Sequence, residues 1–205
     1  MKIRNIVLMI LLMGVLCNVQ AQLYPGIAGV QYSVGSTVGD TKNYISDLSW
    51  IGFAVEYDKF LSRNLTIGFL TGWNSFDELH QAGTIELEGS TLTGTQIRYF
   101  SAFPVLANFS YFFGHKKSSV RPYFGVGVGA YYIIERLEVG LFMIEEDNWR
   151  FGVAPTVGIL VPTDYIYLQA SVRYNHAFEG GSSITKDPMD ITYLTFNIGI
   201  SVPTW

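Results

Sequence analysis

Four charged residues lie within segments that otherwise alternate apolar with small or polar residues: Glu56, Arg98, Arg150 and Arg173. Each falls on the small, polar side of its segment, so the segments would turn one carboxylate and three guanidinium groups toward a common interior. Buried charges must pair or contact trapped water, because an isolated one is costly to bury. We therefore expect a charge network that plugs the interior. A gated narrow pore and an enzyme with Glu56 as its base are the alternatives, and no nucleophile accompanies Glu56.

A histidine near the end of one such segment is the residue most suggestive of catalysis. His176 is followed by Ser182 and Ser183 in the next connection. A serine two residues after the histidine would share its face of a strand, but Phe178 holds that position. We expect a histidine at a rim, with a hydrolytic site as the weaker alternative. The other two histidines stand alone, without a second ligand at metal-binding spacing.

Hard oxygen ligands are concentrated in the run Glu145-Glu146-Asp147-Asn148. Such a run could bind calcium or magnesium, yet it lacks the glycine and ordered spacing of a dedicated calcium loop. A solvated run of charge is the stronger interpretation. The alternating glycines at 125–129 lie within a strand pattern and not between a strand and a helix, so they do not predict a phosphate loop. We expect neither a metal nor a cofactor.

The segments that carry these residues are about ten residues long and alternate with period two, which predicts β-strands. Four long and three short connections follow one another in strict alternation, so there are eight strands. The long connections are 38–47, 75–94, 136–148 and 179–190, and the short ones are 59–64, 114–119 and 162–164. This alternation is typical of an outer-membrane barrel with tight periplasmic turns and long external loops. We predict an all-β fold: a transmembrane, up-and-down antiparallel β-barrel of eight strands.

Glycine and small polar residues make up the non-apolar face of these strands. A soluble barrel keeps its large apolar residues inside and shows a charged surface to water. Here the other face is too small and too rich in glycine to be a solvent surface, and it suits the narrow lumen of an eight-stranded barrel. A secreted, lipocalin-like barrel is the alternative.

The first residues predict export. Lys2 and Arg4 precede an apolar run at 6–16, and small residues then lead to Gln22. This is the pattern of a secretory signal peptide, 1–21, followed by a barrel domain, 22–205. Its removal leaves 11 basic against 17 acidic residues, a net charge of −6. The predicted long connections hold thirteen acidic and three basic residues, which argues against nucleic acid as a partner.

Aromatic residues cluster at the strand ends, as in the two interfacial girdles of membrane barrels. The residues that we assign to these girdles are Trp50, Trp73, Trp149, Tyr165 and Trp205. Pro104 and Pro155 fall inside predicted strands and cannot donate to a ladder, so we expect β-bulges there.

The segments 103–114 (FPVLANFSYFFG) and 121–132 (RPYFGVGVGAYY) resemble the outer-membrane protein β-barrel domain family, which is related to the small OmpA-like eight-stranded barrels. The resemblance covers 22–205. It implies a location in the outer membrane of a Gram-negative bacterium after signal-peptide cleavage. The last strand resembles the family's assembly signal, although Pro203 and Thr204 depart from the usual final step. The residues that carry this signal are Phe196, Ile198, Ile200, Val202 and Trp205.

Three functions remain open at this point. The first, favoured by loop length, is a structural or surface-interaction role through long acidic external loops. The second is a narrow solute channel, and the third is a lipid A-modifying outer-membrane hydrolase. The resemblance implies contact with outer-membrane lipid and lipopolysaccharide, and assembly by the barrel-assembly machinery with periplasmic chaperones. We expect a monomer and no enzymatic activity.

Overall fold

The computed structural model describes residues 26–87, 90–115, 118–139, 142–180 and 189–204, and it describes their side chains except at 80–96, 142, 179, 180 and 189. The predicted signal peptide and Trp205 lie outside the described residues. Eight strands and one short helix follow in the order β1 Gly26–Thr37, α1 Thr41–Tyr44, β2 Ile51–Phe60, β3 Leu65–Leu87, β4 Ser90–Phe112, β5 Arg121–Val139, β6 Phe142–Pro162, β7 Tyr167–Gly180 and β8 Met189–Thr204.

Each strand pairs antiparallel with its neighbour in sequence, and β1 pairs with β8 to close the barrel. The prediction of an eight-stranded, antiparallel, up-and-down barrel is confirmed. In the described part of the chain, no helix is long and apolar enough to cross a membrane.

Two of the predicted long connections are largely strand. The expected loops at 75–94 and 136–148 are instead the paired extensions of β3 with β4 and of β5 with β6. A cross-strand ion pair between Arg136 and Glu145 supports the second extension. Period-two β-branched and apolar residues continue through both segments, which favours strand over loop. We call the end of the barrel that carries these two strand extensions the hairpin end. The opposite end, which carries the connections 61–64, 113–120 and 163–166, is called the turn end.

The predicted bulges at the two prolines are absent. The β3–β4 register is the same before and after the stretch opposite Pro104, and the β6–β7 register is the same on both sides of Pro155. Only the ladder is interrupted, because proline lacks the N–H donor. The register shifts lie elsewhere, between His80 and Gly83 and between Ala177 and Gly180.

The two faces of the strands differ as the alternation predicts. Along β2, every second residue is buried and those between are exposed. The exposed positions of the barrel hold large apolar side chains, and the buried ones hold glycine, polar and charged residues together with two apolar clusters. The lumen is therefore the polar side of the sheet.

Side chains fill the lumen at both ends. At the hairpin end, Phe76 and Phe100 stack with their centroids 4.5 Å apart, and Tyr193 meets Phe76 edge-on at 5.3 Å. At the turn end, Phe112 stacks on Tyr123 at 5.0 Å. Polar side chains hold most of the other inward positions of β1, β7 and β8 and hydrogen-bond across strands, as Ser33 does when it donates to Asn197 Oδ1 at 2.6 Å.

Candidate functional site in the lumen and at the rims

Glu56 belongs to a buried network that crosses the lumen. Its carboxylate lies 3.6 Å from the Arg173 guanidinium, and Gln169 Nε2 also donates to it. The same amide reaches the Tyr123 hydroxyl at 2.9 Å, and Ser201 Oγ donates to Gln169 Oε1 at 2.7 Å. Four strands, β2, β5, β7 and β8, are thereby joined through the side-chain amide of Gln169.

The other two predicted arginines have different partners. Arg150 Nη2 donates to Glu135 at 2.6 Å, and both side chains are almost fully buried. Arg98 lies nearer the mouth, where its Nη1 donates to the Tyr44 carbonyl at 3.1 Å and its guanidinium sits 5.0 Å from the centre of the Tyr44 ring. Arg150 and Arg173 have different partners because they lie at different heights in the barrel. Arg173 Nε donates to Thr156 Oγ1 at 3.2 Å, and Thr156 lies six residues, roughly 20 Å, from Arg150 along β6.

The first long connection closes the hairpin end. Ile45, just after α1, has no exposed surface and packs into the aromatic cluster around Phe76. Thr37 Oγ1 donates to the Ile45 carbonyl, and Thr41 Oγ1 donates to the Asp190 carbonyl at 3.1 Å. Burial raises the pKa of Tyr44 to about 12, and the nearby Glu135 carboxylate adds to the rise while Arg98 opposes it. Residues 37–46 thus form a fixed cover over the mouth, not an open loop.

Two inward-facing charges were missed by the sequence reasoning. Asp58 is 5% exposed, and the Asn108 amide donates to its two oxygens at 3.3 and 3.5 Å. Arg121 is 4% exposed and lies 5.1 Å from the centre of the Phe112 ring. The signal was present, because Asp58 is two residues from Glu56 and shares its face.

Aromatic side chains form a belt on the outer surface near the hairpin end. Trp73 stacks on Phe103 at 6.2 Å, and Phe103 continues to Tyr132 and then to Trp149 at 5.1 Å. Trp50 and Trp149 are 65% and 64% exposed, at the same end of the barrel. Tyr165 is 87% exposed in a connection of the turn end. Trp50 directly precedes β2 and Tyr165 lies in a connection, whereas Trp73 and Trp149 lie inside β3 and β6, which extend beyond them. Trp205 is outside the described residues, and the interfacial role of these residues stays a prediction.

The residues of the predicted assembly signal share the outer face of β8. Phe196, Ile198, Ile200 and Val202 are all exposed, with Ile198 at 71%. Their strand pairs with β1 through twelve consecutive residues and so closes the barrel.

His176 faces outward at the hairpin end, beside the belt. Its Nδ1 lies 3.3 Å from Thr192 Oγ1 and its Nε2 lies 3.6 Å from the Asp190 carboxylate. Its ring packs edge-on against Phe178 at 4.6 Å. Thr192 is only 7% exposed. Ser182 and Ser183 lie outside the described residues, so the hydroxyl found near this histidine is a buried threonine.

The acidic run does not converge on one point. Glu145 and Asp147 lie on one face of β6, whereas Glu146 and Asn148 lie on the other. Asp147 accepts a hydrogen bond from the Tyr132 hydroxyl at 2.8 Å, and Glu145 pairs with Arg136. Within the described ranges, no three His, Cys, Asp or Glu side chains come together as a metal site would require.

No protein-family model matches the chain, and no curated protein matches it either. Among solved structures, Neisserial surface protein A is 14% identical, with 87% of this chain and 95% of that chain covered and a TM-score of 0.52. Ail, the attachment invasion locus protein of Yersinia pestis, is 14% identical, with coverages of 87% and 96% and a TM-score of 0.48. The N-terminal β-barrel domain of Pseudomonas aeruginosa OprF is 9% identical, with coverages of 86% and 96% and a TM-score of 0.47. The first match confirms the expected likeness at the level of the fold.

Proposed function

We propose that the chain is a small integral barrel of the outer membrane of a Gram-negative bacterium, with a closed lumen and a structural or surface-interaction role at its hairpin end. The observation that carries this proposal is the inverted polarity of the barrel. Large apolar side chains cover the outside, and charged and amide side chains are buried within.

The hydrophobic free energy of the exposed side chains favours a membrane barrel over a secreted one. Thirty-two large apolar side chains are exposed among the described residues. A half-exposed Leu, Ile or Phe in water forgoes about 1 kcal/mol of burial, so a water-facing barrel would forgo roughly 30 kcal/mol of hydrophobic stabilisation. That amount is larger than the 5–15 kcal/mol, approximately, by which a typical domain is stable. Surrounding hydrocarbon removes it, and a closed barrel leaves no strand edge unpaired in lipid.

The filled lumen favours a structural or interaction role over a solute channel. Stacked rings occupy both ends, ion pairs cross the interior, and residues 37–46 cover one mouth. A partner would therefore meet the outer surface and the hairpin end, which carries Asp47, Asp77 and Asp147 as exposed carboxylates. Outer-membrane lipid and lipopolysaccharide are the surroundings that this surface implies. The barrel-assembly machinery and periplasmic chaperones would insert the chain as a monomer.

Fractionation of cells that express the complete chain tests the location. We expect the protein in the outer-membrane fraction, resistant to alkaline carbonate extraction, with a faster gel mobility before boiling than after. A variant with Phe196, Ile198 and Ile200 replaced by serine makes the closing strand polar on its lipid side and should lose both properties. Recovery of the unchanged protein in the soluble periplasmic fraction would contradict the proposal.

A further inference from the structure

Two carboxylates of the lumen face one cation. Glu56 and Asp58 lie on the same side of β2, two residues or roughly 7 Å apart along the strand. Both are buried, at 7% and 5% exposure. The Arg173 guanidinium contacts Glu56, and among the described residues no cation makes an ion pair with Asp58.

The residues beside Asp58 on β1, β3 and β4 are neutral, and Ile27 lies opposite it on β1. On β4, Asn108 donates to its carboxylate, and Ser110 lies beside that amide at 3.4 Å. On β3 the opposite residue is Gly68, where a Cβ would lie 2.2 Å from Asp58 Oδ1. The glycine leaves the space that the carboxyl group occupies, so Asp58 is held in the lumen by the packing of its neighbours.

Other charged groups do not complete the balance. Arg121 lies at the turn end against the Phe60 and Phe112 rings, and its Nη2 donates to the Arg63 carbonyl at 3.2 Å. Arg150 is committed to Glu135. Among the described residues, the tyrosines in this part of the lumen are Tyr123, whose hydroxyl meets the Gln169 amide, and Tyr167, which packs against the apolar cluster of Phe60 and Phe112. The Arg173 guanidinium is therefore the cation available to both Glu56 and Asp58. If both carboxyl groups were ionised, one buried negative charge would be uncompensated.

We propose that Glu56 and Asp58 hold one proton between them in the folded barrel at neutral pH, and that Asp58 carries it. The pair then has a single negative charge, which Arg173 balances. The barrel binds a proton that the unfolded chain has already released, so it is stabilised by acid. Alkaline conditions remove this proton and leave two carboxylates on one guanidinium, which weakens the turn end.

The sign of the effect follows from linkage. An unfolded aspartate loses its proton near pH 4, approximately, whereas the folded pair keeps one to higher pH. Between the pH at which the unfolded aspartate loses its proton and the pH at which the folded pair loses its own, the native state binds more protons than the unfolded state. The free energy of unfolding therefore falls as pH rises through this range. Asp58→Asn keeps the shape and the hydrogen bonding of a neutral side chain and abolishes this dependence.

The experiment compares urea midpoints of the refolded full-length protein in one detergent at about pH 5 and about pH 9, on either side of the expected loss of the proton. We expect the midpoint of the unchanged protein to fall between these pH values. The midpoint of Asp58→Asn should exceed that of the unchanged protein by a small amount at the lower pH and by a larger amount at the higher pH. Asp164→Asn, the same change at an exposed position of a turn, is the matched control and should follow the unchanged protein. An Asp58→Asn midpoint below that of the unchanged protein at the higher pH would overturn the proposal.

Two further readouts keep the proposal open to refutation if Asp58→Asn fails to fold. Infrared spectra of the unchanged barrel at neutral pH should show the C=O band of a buried protonated carboxyl group. Glu56→Gln should remove that band, because the single remaining carboxylate is then balanced by Arg173. A missing band in the unchanged protein would refute the shared proton. Added calcium or sodium could also raise the urea midpoint at high pH in the unchanged protein but not in Asp58→Asn. That result would show that a metal ion occupies the position proposed for the proton, and it would equally refute the proposal.

Discussion

The ion pair between Glu56 and Arg173 offers the sharpest test of the luminal network. Glu56→Gln keeps the size of the side chain but removes the carboxylate that contacts the guanidinium at 3.6 Å. Arg173 is 5% exposed and would keep its hydrogen bond to Thr156 but lose its direct contact with a carboxylate. Breaking a buried pair costs about 3–5 kcal/mol. The length of this contact and the nearness of Asp58 place the expected loss at the lower end, about 3 kcal/mol.

The assay is urea unfolding of the refolded barrel, with Ile198→Val as the comparison. At an m-value of about 1–3 kcal/mol per molar, a loss of 3 kcal/mol lowers the midpoint by about 1–3 M. Ile198 is 71% exposed on the outer face, so detergent or lipid fills the volume of the lost methyl group. Its cost should stay below the usual range for Ile→Val of about 0.5–1.5 kcal/mol.

Equal midpoints for the two variants would refute the reasoning, since the Glu56 carboxylate would then be solvated in both the native and the unfolded state. A double variant sharpens the result. If Asp58 ionises and takes over as the counter-charge in Glu56→Gln, adding Asp58→Asn removes that compensation. The combined loss should then exceed the sum of the two single changes, as it does for residues in one network.

Three further predictions concern topology, closure and the cover over the mouth. Proteinase K applied to intact cells should cut within 81–93, at the end of the β3–β4 hairpin; cutting confined to 113–120 would invert the orientation. Deletion of 193–205 removes most of β8 and leaves unpaired backbone in lipid, so the gel mobility shift should vanish, and its persistence would contradict an eight-stranded barrel. Ile45→Ala should cost about 2–4 kcal/mol in urea unfolding, because Ile45 is fully buried in the aromatic cluster. Leu48→Ala, at 56% exposure in the same connection, should cost far less, and equal losses would mean that the cover is not packed.

Much of the fold could be predicted from local periodicity. The alternation of apolar and small residues defines which side of each strand faces the lumen, and the inward positions of Glu56, Arg150 and Arg173 follow from parity alone. The same rule applied to the end of β2 would have found Asp58. It was missed because the short turn was taken to begin at the next residue.

Pairing between strands could not be predicted in this way. Whether Glu56 meets Arg173 or Arg150 depends on the stagger between strands, which no single segment encodes. The lengths of the two hairpins were underestimated because their charged residues suggested loops, although cross-strand pairs such as Arg136 with Glu145 stabilise strands. The insertion of Ile45 depends on the shape of the mouth, and only the closed barrel shows it.

Planar-bilayer recording of the refolded, unmodified barrel tests the closed lumen most directly. Paired charges and stacked rings fill the interior, and residues 37–46 cover the hairpin end. We therefore predict a silent barrel, with no discrete current steps across the accessible voltage range, from samples whose gel mobility shift proves that they are folded. Reproducible single-channel steps from such samples would contradict the account and would favour a narrow channel.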